Sequence, residues 1–178
     1  MSRISYPAIE TATGATAEVF TQVKKAAGSV PNAYATIGSL APDTLKTILN
    51  AEGVLASGTL SKQDRETIKL VVSEVAGCDY CVAAHSFLGK LAGIAPDTLA
   101  DIRNGKPTGD PKRDALISFV RALQQSNGTV AEADFNDIKA AGYSDTQLVE
   151  ISLAISLITF TNIFNRINDT VVDFPSID

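Results

Sequence analysis

Apolar residues recur every three or four positions along most of the chain, which is the spacing of one face of an α-helix. No stretch shows the sustained alternation of apolar and polar residues that is typical of a half-buried strand. With their glycine and proline breaks, these runs predict helices over residues 15–27, 62–76, 78–92, 114–125, 131–141 and 146–164, a helix from 41–45 to about 57, and shorter helices through 34–37 and from 95–99. The pattern therefore predicts an all-α fold.

The segment from residue 61 to residue 92 has the clearest boundary signals. Ser61, followed three residues later by Asp64, predicts a capping box at a helix start. Gly77 is placed to end the same helix, because glycine takes the left-handed conformation at low cost. A second helix begins near Cys78, directly after this break. We therefore expect the two helices to fold back on each other as a hairpin.

Both cysteines and the only histidine of the chain lie at the second helix of this hairpin, as Cys78, Cys81 and His85. Residues four apart share a helical face, so the imidazole is expected to reach the Cys81 sulfur, directly or through one water. Backbone N–H groups at the helix start favour a thiolate, whereas the negative charges of Asp79 and Glu74 oppose it. The sequence therefore leaves the thiol pKa values open.

Glu66 is the predicted fourth member of this cluster. It lies eleven residues before Gly77, and His85 lies eight residues after it, so a hairpin places the two side chains near each other. A carboxylate on the far nitrogen of the ring would orient the imidazole as a base. Glu66, His85 and Cys81 would then form a relay that deprotonates a thiol.

The spacing of the two thiols suits the reduction of a peroxide. A thiolate attacks a peroxide oxygen and becomes a sulfenic acid, a second thiol condenses with it to a disulfide, and an external dithiol reduces that disulfide by exchange. We assign the attack to Cys81, the thiol nearer the predicted base. Cys78, expected to be more exposed at the helix start, is predicted to resolve the sulfenic acid and to meet the reductant.

Two other interpretations of the cysteines stay open. Cys78, Cys81 and His85 could supply three zinc ligands, but a structural zinc site needs a fourth, and the chain has no other Cys or His. Buried cysteines can also pack as small, inert hydrophobic residues. Both thiols and the single imidazole lie on one helical face, and this coincidence favours redox chemistry over a zinc site or inert packing.

Length and charge limit the class of protein. The 178 residues suit one domain, 1–178, with residues 1–14 as an N-terminal extension. A net charge of −5 without any basic run argues against nucleic acids or anionic membranes as partners. The N-terminal residues lack the apolar core of a secretory signal, and the longest apolar stretch, 151–160, is too short to span a bilayer. We therefore expect a cytoplasmic protein.

The order of these residues resembles a known family. Arg65-Glu66, then eleven residues, Cys78-x-x-Cys81, three residues and His85 is similar to the signature of the alkylhydroperoxidase D-like proteins, in the carboxymuconolactone decarboxylase superfamily. Three further segments resemble the longer, peroxidase-related branch of that family: 30–32, 140–144 and 164–168.

The resemblance implies a single-domain helical bundle with a hairpin that carries the two cysteines. It also implies homo-oligomers, either trimers or hexamers, and thiol peroxidase activity without metal, haem or other cofactor. The family's relay glutamate, two cysteines and histidine carry over to Glu66, Cys78, Cys81 and His85. Tyr80 departs from members that have a histidine just before the second cysteine. As a possible auxiliary residue, it either donates a hydrogen bond or packs.

The chain is therefore predicted to be an antioxidant enzyme that reduces alkyl hydroperoxides, or hydrogen peroxide, through a Cys78–Cys81 disulfide. An external dithiol or a redox adaptor protein would be its reductant. A first alternative is a carboxymuconolactone decarboxylase-like lyase acting on a lactone-like ring acid. That lyase would need a basic anchor near His85, for which Lys90 and Arg166 are available. A second alternative is a non-enzymatic disulfide-exchange adaptor or redox sensor.

Overall fold

The predicted all-α fold is confirmed. The computed structural model describes residues 1–175, which form a short 3-10 turn and nine α-helices without a strand in that range. The turn is Ile9–Thr11, and the helices are α1 Gly14–Ala27, α2 Asn32–Leu40, α3 Pro42–Ala56, α4 Lys62–Ala76, α5 Asp79–Leu91, α6 Pro96–Asn104, α7 Pro111–Gln125, α8 Glu132–Ala140 and α9 Asp145–Asn168.

The signals at the start and end of α4 act as the sequence predicts. Ser61 accepts a hydrogen bond from the Asp64 backbone N–H, and the Asp64 carboxylate accepts one from the Ser61 backbone in return. Gly77 ends the helix in the left-handed conformation, with φ of 61°. The Gly77 N–H bonds the Glu74 carbonyl and the Cys78 N–H bonds the Ser73 carbonyl, which is a Schellman motif. This motif turns the chain back sharply into α5.

Two helix boundaries differ from the sequence prediction by three residues or more. Helix α7 begins at Pro111, three residues earlier than predicted, because the Asp110 side chain accepts hydrogen bonds from the backbone N–H groups at 112 and 113. Helix α9 continues to Asn168, four residues beyond the predicted end at Phe164. Its last turns carry asparagines that are polar but buried, so the apolar pattern stops before the helix does.

Helix α4 lies at the centre of the bundle and packs against α5, α7 and α9. Its buried apolar residues, Ile68, Leu70, Val71 and Val72, belong to the larger hydrophobic core. Burying each such side chain stabilises the fold by about 1.5–3 kcal/mol. The helix that carries Glu66 is therefore held rigidly.

Helices α1, α2 and α3 form a second, smaller hydrophobic cluster beside the main core. Val19, Phe20, Ile37 and Leu45 are buried there. Tyr34, on α2, packs against both clusters. Through Tyr34, this packing links α2 to the main core.

Helix α9 is the one helix in the described part of the chain that is long and apolar enough to cross a membrane by length and composition. Core helices of soluble proteins share these properties, so the observation is weak evidence for a span. Here α9 packs against α3, α4 and α5. Its opposite face leaves apolar side chains exposed: Val149, Phe160, Ile163 and Ile167.

Candidate active site

The α4–α5 hairpin brings Glu66 and His85 together, as the sequence predicts. The Nδ1 atom of His85 lies 2.8 Å from Oε2 of Glu66, within hydrogen-bond distance. The two side chains are only 13% and 15% exposed, respectively. With Nδ1 facing the carboxylate, Nε2 is left as the nitrogen that can accept a proton.

The surroundings of Glu66 favour its charged form. Burial alone would raise the pKa of this carboxyl group. The charge and hydrogen bond of His85 act in the opposite direction, as do the charges of Lys69 and Arg65, and together they lower the pKa below its ordinary value. Glu66 is therefore ionised at neutral pH, where it can hold the imidazole in one orientation.

A testable consequence concerns stability in acid. A lowered pKa in the folded state means that Glu66 adds stability above about pH 4.3, and that this contribution is lost as the pH falls through the lowered value. Glu66→Gln should therefore be less stable than the wild-type chain at pH 6, with the gap closing towards pH 3. Denaturant unfolding at several pH values measures this gap. A gap that stays constant would contradict the pairing.

The two thiols lie against each other in the reduced form. The Sγ atoms of Cys78 and Cys81 are 2.9 Å apart, and each residue is 2% exposed. The expectation that Cys78 is the more exposed thiol is therefore wrong. The Schellman turn at Gly77 draws the Cys78 backbone onto the end of α4, and this directs its side chain into the core.

The short contact between the thiols makes their acidities unequal. The hydrogen bond between the two thiols lowers the pKa of Cys78, against the opposing effects of burial and of Asp79. The same hydrogen bond, together with burial, raises the pKa of Cys81. The pair therefore gives up its first proton more readily than its second.

Asn165 is a member of the site that the sequence prediction left out. Its Nδ2 atom donates to the Cys81 Sγ at 3.3 Å, which favours negative charge on that sulfur. The predicted helix ended one residue earlier, at Phe164, so nothing placed this side chain inside the bundle. A signal was present, because the segment 164–168 is one of those that carry the family resemblance.

A cavity of about 300 Å³ opens beside the thiols. Cys81 and His85 line it, whereas Cys78 does not. Most of the wall is apolar, and the other polar side chains come from five helices: Tyr34, Glu52, Lys69, Tyr80, Thr161 and Asn165. Among the described residues, no direct hydrogen bond joins His85 to Cys81. Since both face the cavity, a proton would pass between them through a water or a bound molecule.

Lys69 provides a buried positive charge in this cavity that the sequence prediction also left out. Its side chain is 8% exposed, and its Nζ lies 2.6 Å from Oε2 of Glu52. The anchors proposed for a lyase are placed elsewhere: Lys90 is exposed, and Arg166 donates to the Ala76 carbonyl at the end of α4. The charge of Lys69 is offset by Glu52, so the part of the cavity wall formed by residues 1–175 offers no unpaired lysine or arginine to an acid.

Tyr80 both donates a hydrogen bond and packs. Its hydroxyl donates to Oδ1 of Asp173 at 2.9 Å and accepts from the Ala33 backbone N–H at 3.2 Å. Its ring meets the Phe174 ring edge-on, with centroids 5.5 Å apart. Asp173 also accepts from the Asn32 backbone N–H at 2.8 Å. Tyr80 therefore links the C-terminal segment to α2 beside the cavity, and its hydroxyl is occupied by these two hydrogen bonds.

The zinc interpretation finds no support in the arrangement of side chains. Within residues 1–175, no group of three or more His, Cys, Asp or Glu side chains is arranged to hold a metal ion. Cys78 and Cys81 face each other, and His85 faces Glu66 through Nδ1.

Comparison with known families supports the resemblance found in the sequence. Residues 42–106 match the carboxymuconolactone decarboxylase family model. This range contains Glu66, both cysteines and His85. Among curated proteins, no sequence matches this chain significantly.

Solved structures share the whole fold at low sequence identity. A peroxidase-related protein from Ralstonia eutropha JMP134, described as an alkylhydroperoxidase AhpD core, superposes with a TM-score of 0.84 at 22% identity, covering 97% of this chain and 92% of its own. A peroxidase-related protein from Silicibacter sp. TM1040 gives 0.81 at 20% identity, covering 96% and 91%. The debrominase Bmp8 gives 0.75 at 19% identity, covering 89% and 86%. The predicted resemblance to the alkylhydroperoxidase D-like proteins is thereby confirmed.

Proposed function

We propose that this chain, which has the fold of alkylhydroperoxidase D-like proteins and matches the carboxymuconolactone decarboxylase family over residues 42–106, is a thiol-dependent peroxidase. One observation carries the proposal. Cys81 lies on the wall of an apolar cavity beside His85, and the Cys78 thiol lies 2.9 Å behind it, outside that cavity. A substrate in the cavity therefore meets one thiol, while the second is already placed to trap the product.

In the first step His85 accepts, through a water in the cavity, the proton that leaves the thiol pair. The Cys81 thiolate attacks the terminal oxygen of a hydroperoxide, the O–O bond breaks, and the proton that His85 took up is returned so that the alcohol ROH leaves. Cys81 becomes a sulfenic acid, and the peroxide is reduced by two electrons. Asn165 supports this step by favouring negative charge on the Cys81 sulfur. Glu66 supports it by orienting His85, the base.

In the second step the Cys78 sulfur attacks the sulfenic acid sulfur, water leaves, and a Cys78–Cys81 disulfide forms. An external dithiol, or a redox adaptor protein, then reduces the disulfide and restores both thiols. A small dithiol in the cavity would meet Cys81 first. Attack at Cys78, the position expected from the sequence, requires the turn at Gly77 to open, because Cys78 is buried.

The walls of the cavity favour small organic hydroperoxides over hydrogen peroxide, because apolar groups such as Leu49, Ala84 and Ile158 can bury an alkyl chain. We also propose that the enzyme is cytoplasmic, that its role is antioxidant and that it works without a bound cofactor. The proposal also includes self-association as a trimer or hexamer, since α9 exposes several apolar side chains that a second copy could cover.

The proposal is tested by following peroxide consumption with a dithiol present. The wild-type chain should consume ethyl hydroperoxide catalytically, and Cys78→Ser/Cys81→Ser should not. Lack of turnover in the wild-type chain with any of several dithiols would contradict the proposal.

The same preparations distinguish the alternatives. Turnover of a lactone acid that persists in the double serine variant would indicate a lyase. Rapid disulfide exchange without peroxide turnover would indicate an adaptor. A brominated pyrrole belongs in the assay too, because a Bmp8 structure of this fold holds 2,3,4-tribromopyrrole. Thiol-dependent debromination without peroxide turnover would assign the thiols to dehalogenation.

A further inference from the structure

Tyr34 is the one tyrosine whose hydroxyl has no hydrogen-bond partner among the described residues. The other three hydroxyls are committed: Tyr6 donates to Asn32, Tyr80 to Asp173 and Tyr143 to Asp64. The Tyr34 ring packs between the two hydrophobic clusters, and the residue lines the cavity beside Cys81. Tyr34 is half-buried, and its hydroxyl is not one of the fully buried polar atoms that lack a partner. It is therefore open to solvent and available to a ligand in the cavity.

The charges around Tyr34 keep its hydroxyl protonated. Burial raises its pKa, and the negative charges of Glu52, Cys81 and Glu66 are close enough to raise it further. The phenol therefore remains a hydrogen-bond donor at every physiological pH. Tyr34 lines the same cavity as Cys81, where negative charge develops when a thiolate attacks.

Other donors that line the cavity are already engaged. The Lys69 ammonium binds Glu52, the Asn165 amide donates to the Cys81 sulfur, and the Thr161 hydroxyl donates to the Ile158 carbonyl. The imidazole of His85 is held by Glu66 and is the acceptor for the thiol proton in the mechanism above. Among the described side chains that line the cavity with Cys81, Tyr34 is therefore a donor without a protein partner.

We propose that Tyr34 is a catalytic residue, whose hydroxyl donates a hydrogen bond and then its proton to the oxygen that leaves the peroxide. This inference rests on the peroxidase function proposed above. As Cys81 takes the terminal oxygen, the O–O bond breaks and the electron pair goes to the alkoxide RO⁻. Tyr34 protonates it to ROH, and the resulting phenolate recovers a proton from His85, which received it from the thiol pair. The sum is one thiol and one hydroperoxide converted to one sulfenic acid and one alcohol.

The test compares oxidants with different leaving groups. An alkoxide is strongly basic and needs a proton as it leaves, whereas acetate does not. Tyr34→Phe should therefore slow the oxidation of the thiol pair by ethyl hydroperoxide about 10²-fold, a typical effect of a general acid. The rate with peracetic acid should stay close to that of the wild-type chain. Stopped-flow measurement on one preparation with both oxidants gives the ratio directly.

The ratio of the rates with the two oxidants distinguishes a loss of catalysis from a change in the packing of the cavity. A variant whose cavity has merely shifted would lose rate with both oxidants equally, and that result would overturn the proposal, as would no loss with either. Leaving-group selectivity that disappears in His85→Ala but not in Tyr34→Phe would assign the acid to His85 instead. Tyr143→Phe is the control, because it removes a buried phenol hydroxyl outside the cavity.

A wild-type chain that is not a peroxidase would give a different result in the same experiment. If the wild-type thiols react with neither oxidant, the peroxidase proposal and the role of Tyr34 fall together. If the wild-type thiols react with both and Tyr34→Phe behaves like Tyr143→Phe, only the role of Tyr34 is overturned.

Discussion

Cys81→Ser should abolish peroxide reduction, with a loss of roughly 10³-fold or more, because the nucleophile itself is removed. Cys78→Ser should also stop turnover, but it should still react once. With Cys81 present and its partner gone, the sulfenic acid has no thiol to condense with and accumulates. Trapping with a sulfenic-acid reagent, followed by mass spectrometry, measures this directly.

This pair of variants tests which cysteine is the nucleophile, because thiol acidity and access to the cavity favour different residues. The hydrogen bond between the thiols makes Cys78 the more acidic one, which taken alone would favour it as the nucleophile. Only Cys81 faces the cavity, and Asn165 donates a hydrogen bond to its sulfur. We expect access to the substrate to decide. A sulfenic acid trapped on Cys78 in Cys81→Ser, with none on Cys81 in Cys78→Ser, would reverse the assignment.

His85→Ala should slow thiol oxidation by about 10²–10⁴-fold at neutral pH, the usual contribution of a general base. The midpoint of the pH–rate profile should move upward, because the thiol pair must then lose its proton to solvent. Stopped-flow oxidation across a pH series measures both effects. Lys90→Ala, which changes an exposed residue of the same helix, is the control and should leave the profile unchanged. Rates for His85→Ala equal to those of the control would rule out the relay.

The hairpin that holds the site follows from local signals in the sequence. The capping box of Ser61 and Asp64 fixes where α4 begins, and Gly77 fixes where it ends. The spacing on either side of that turn is then enough to bring Glu66 opposite His85. These features could be predicted because each depends on residues close together in the chain.

The remaining members of the site depend on packing between distant segments. Tyr34 and Glu52 reach the cavity from α2 and α3, and Asn165 reaches it from the end of α9. Lys69 is buried beside Glu52, a partner seventeen residues away. No periodic pattern marks a polar residue that points inward, so these side chains could not be assigned from the sequence. The burial of Cys78 was missed because it follows from the Schellman turn.

If Cys78 and Cys81 act together as a two-electron reductant of a peroxide held in the cavity, one equivalent of peroxide should consume both thiols. The experiment mixes the fully reduced chain with one equivalent of ethyl hydroperoxide, without added dithiol, and then counts free thiols and ethanol. Both thiols should disappear as one ethanol forms, with a Cys78–Cys81 disulfide found by peptide mass spectrometry. Thiols that remain free while the hydroperoxide persists would show that the pair does not reduce it.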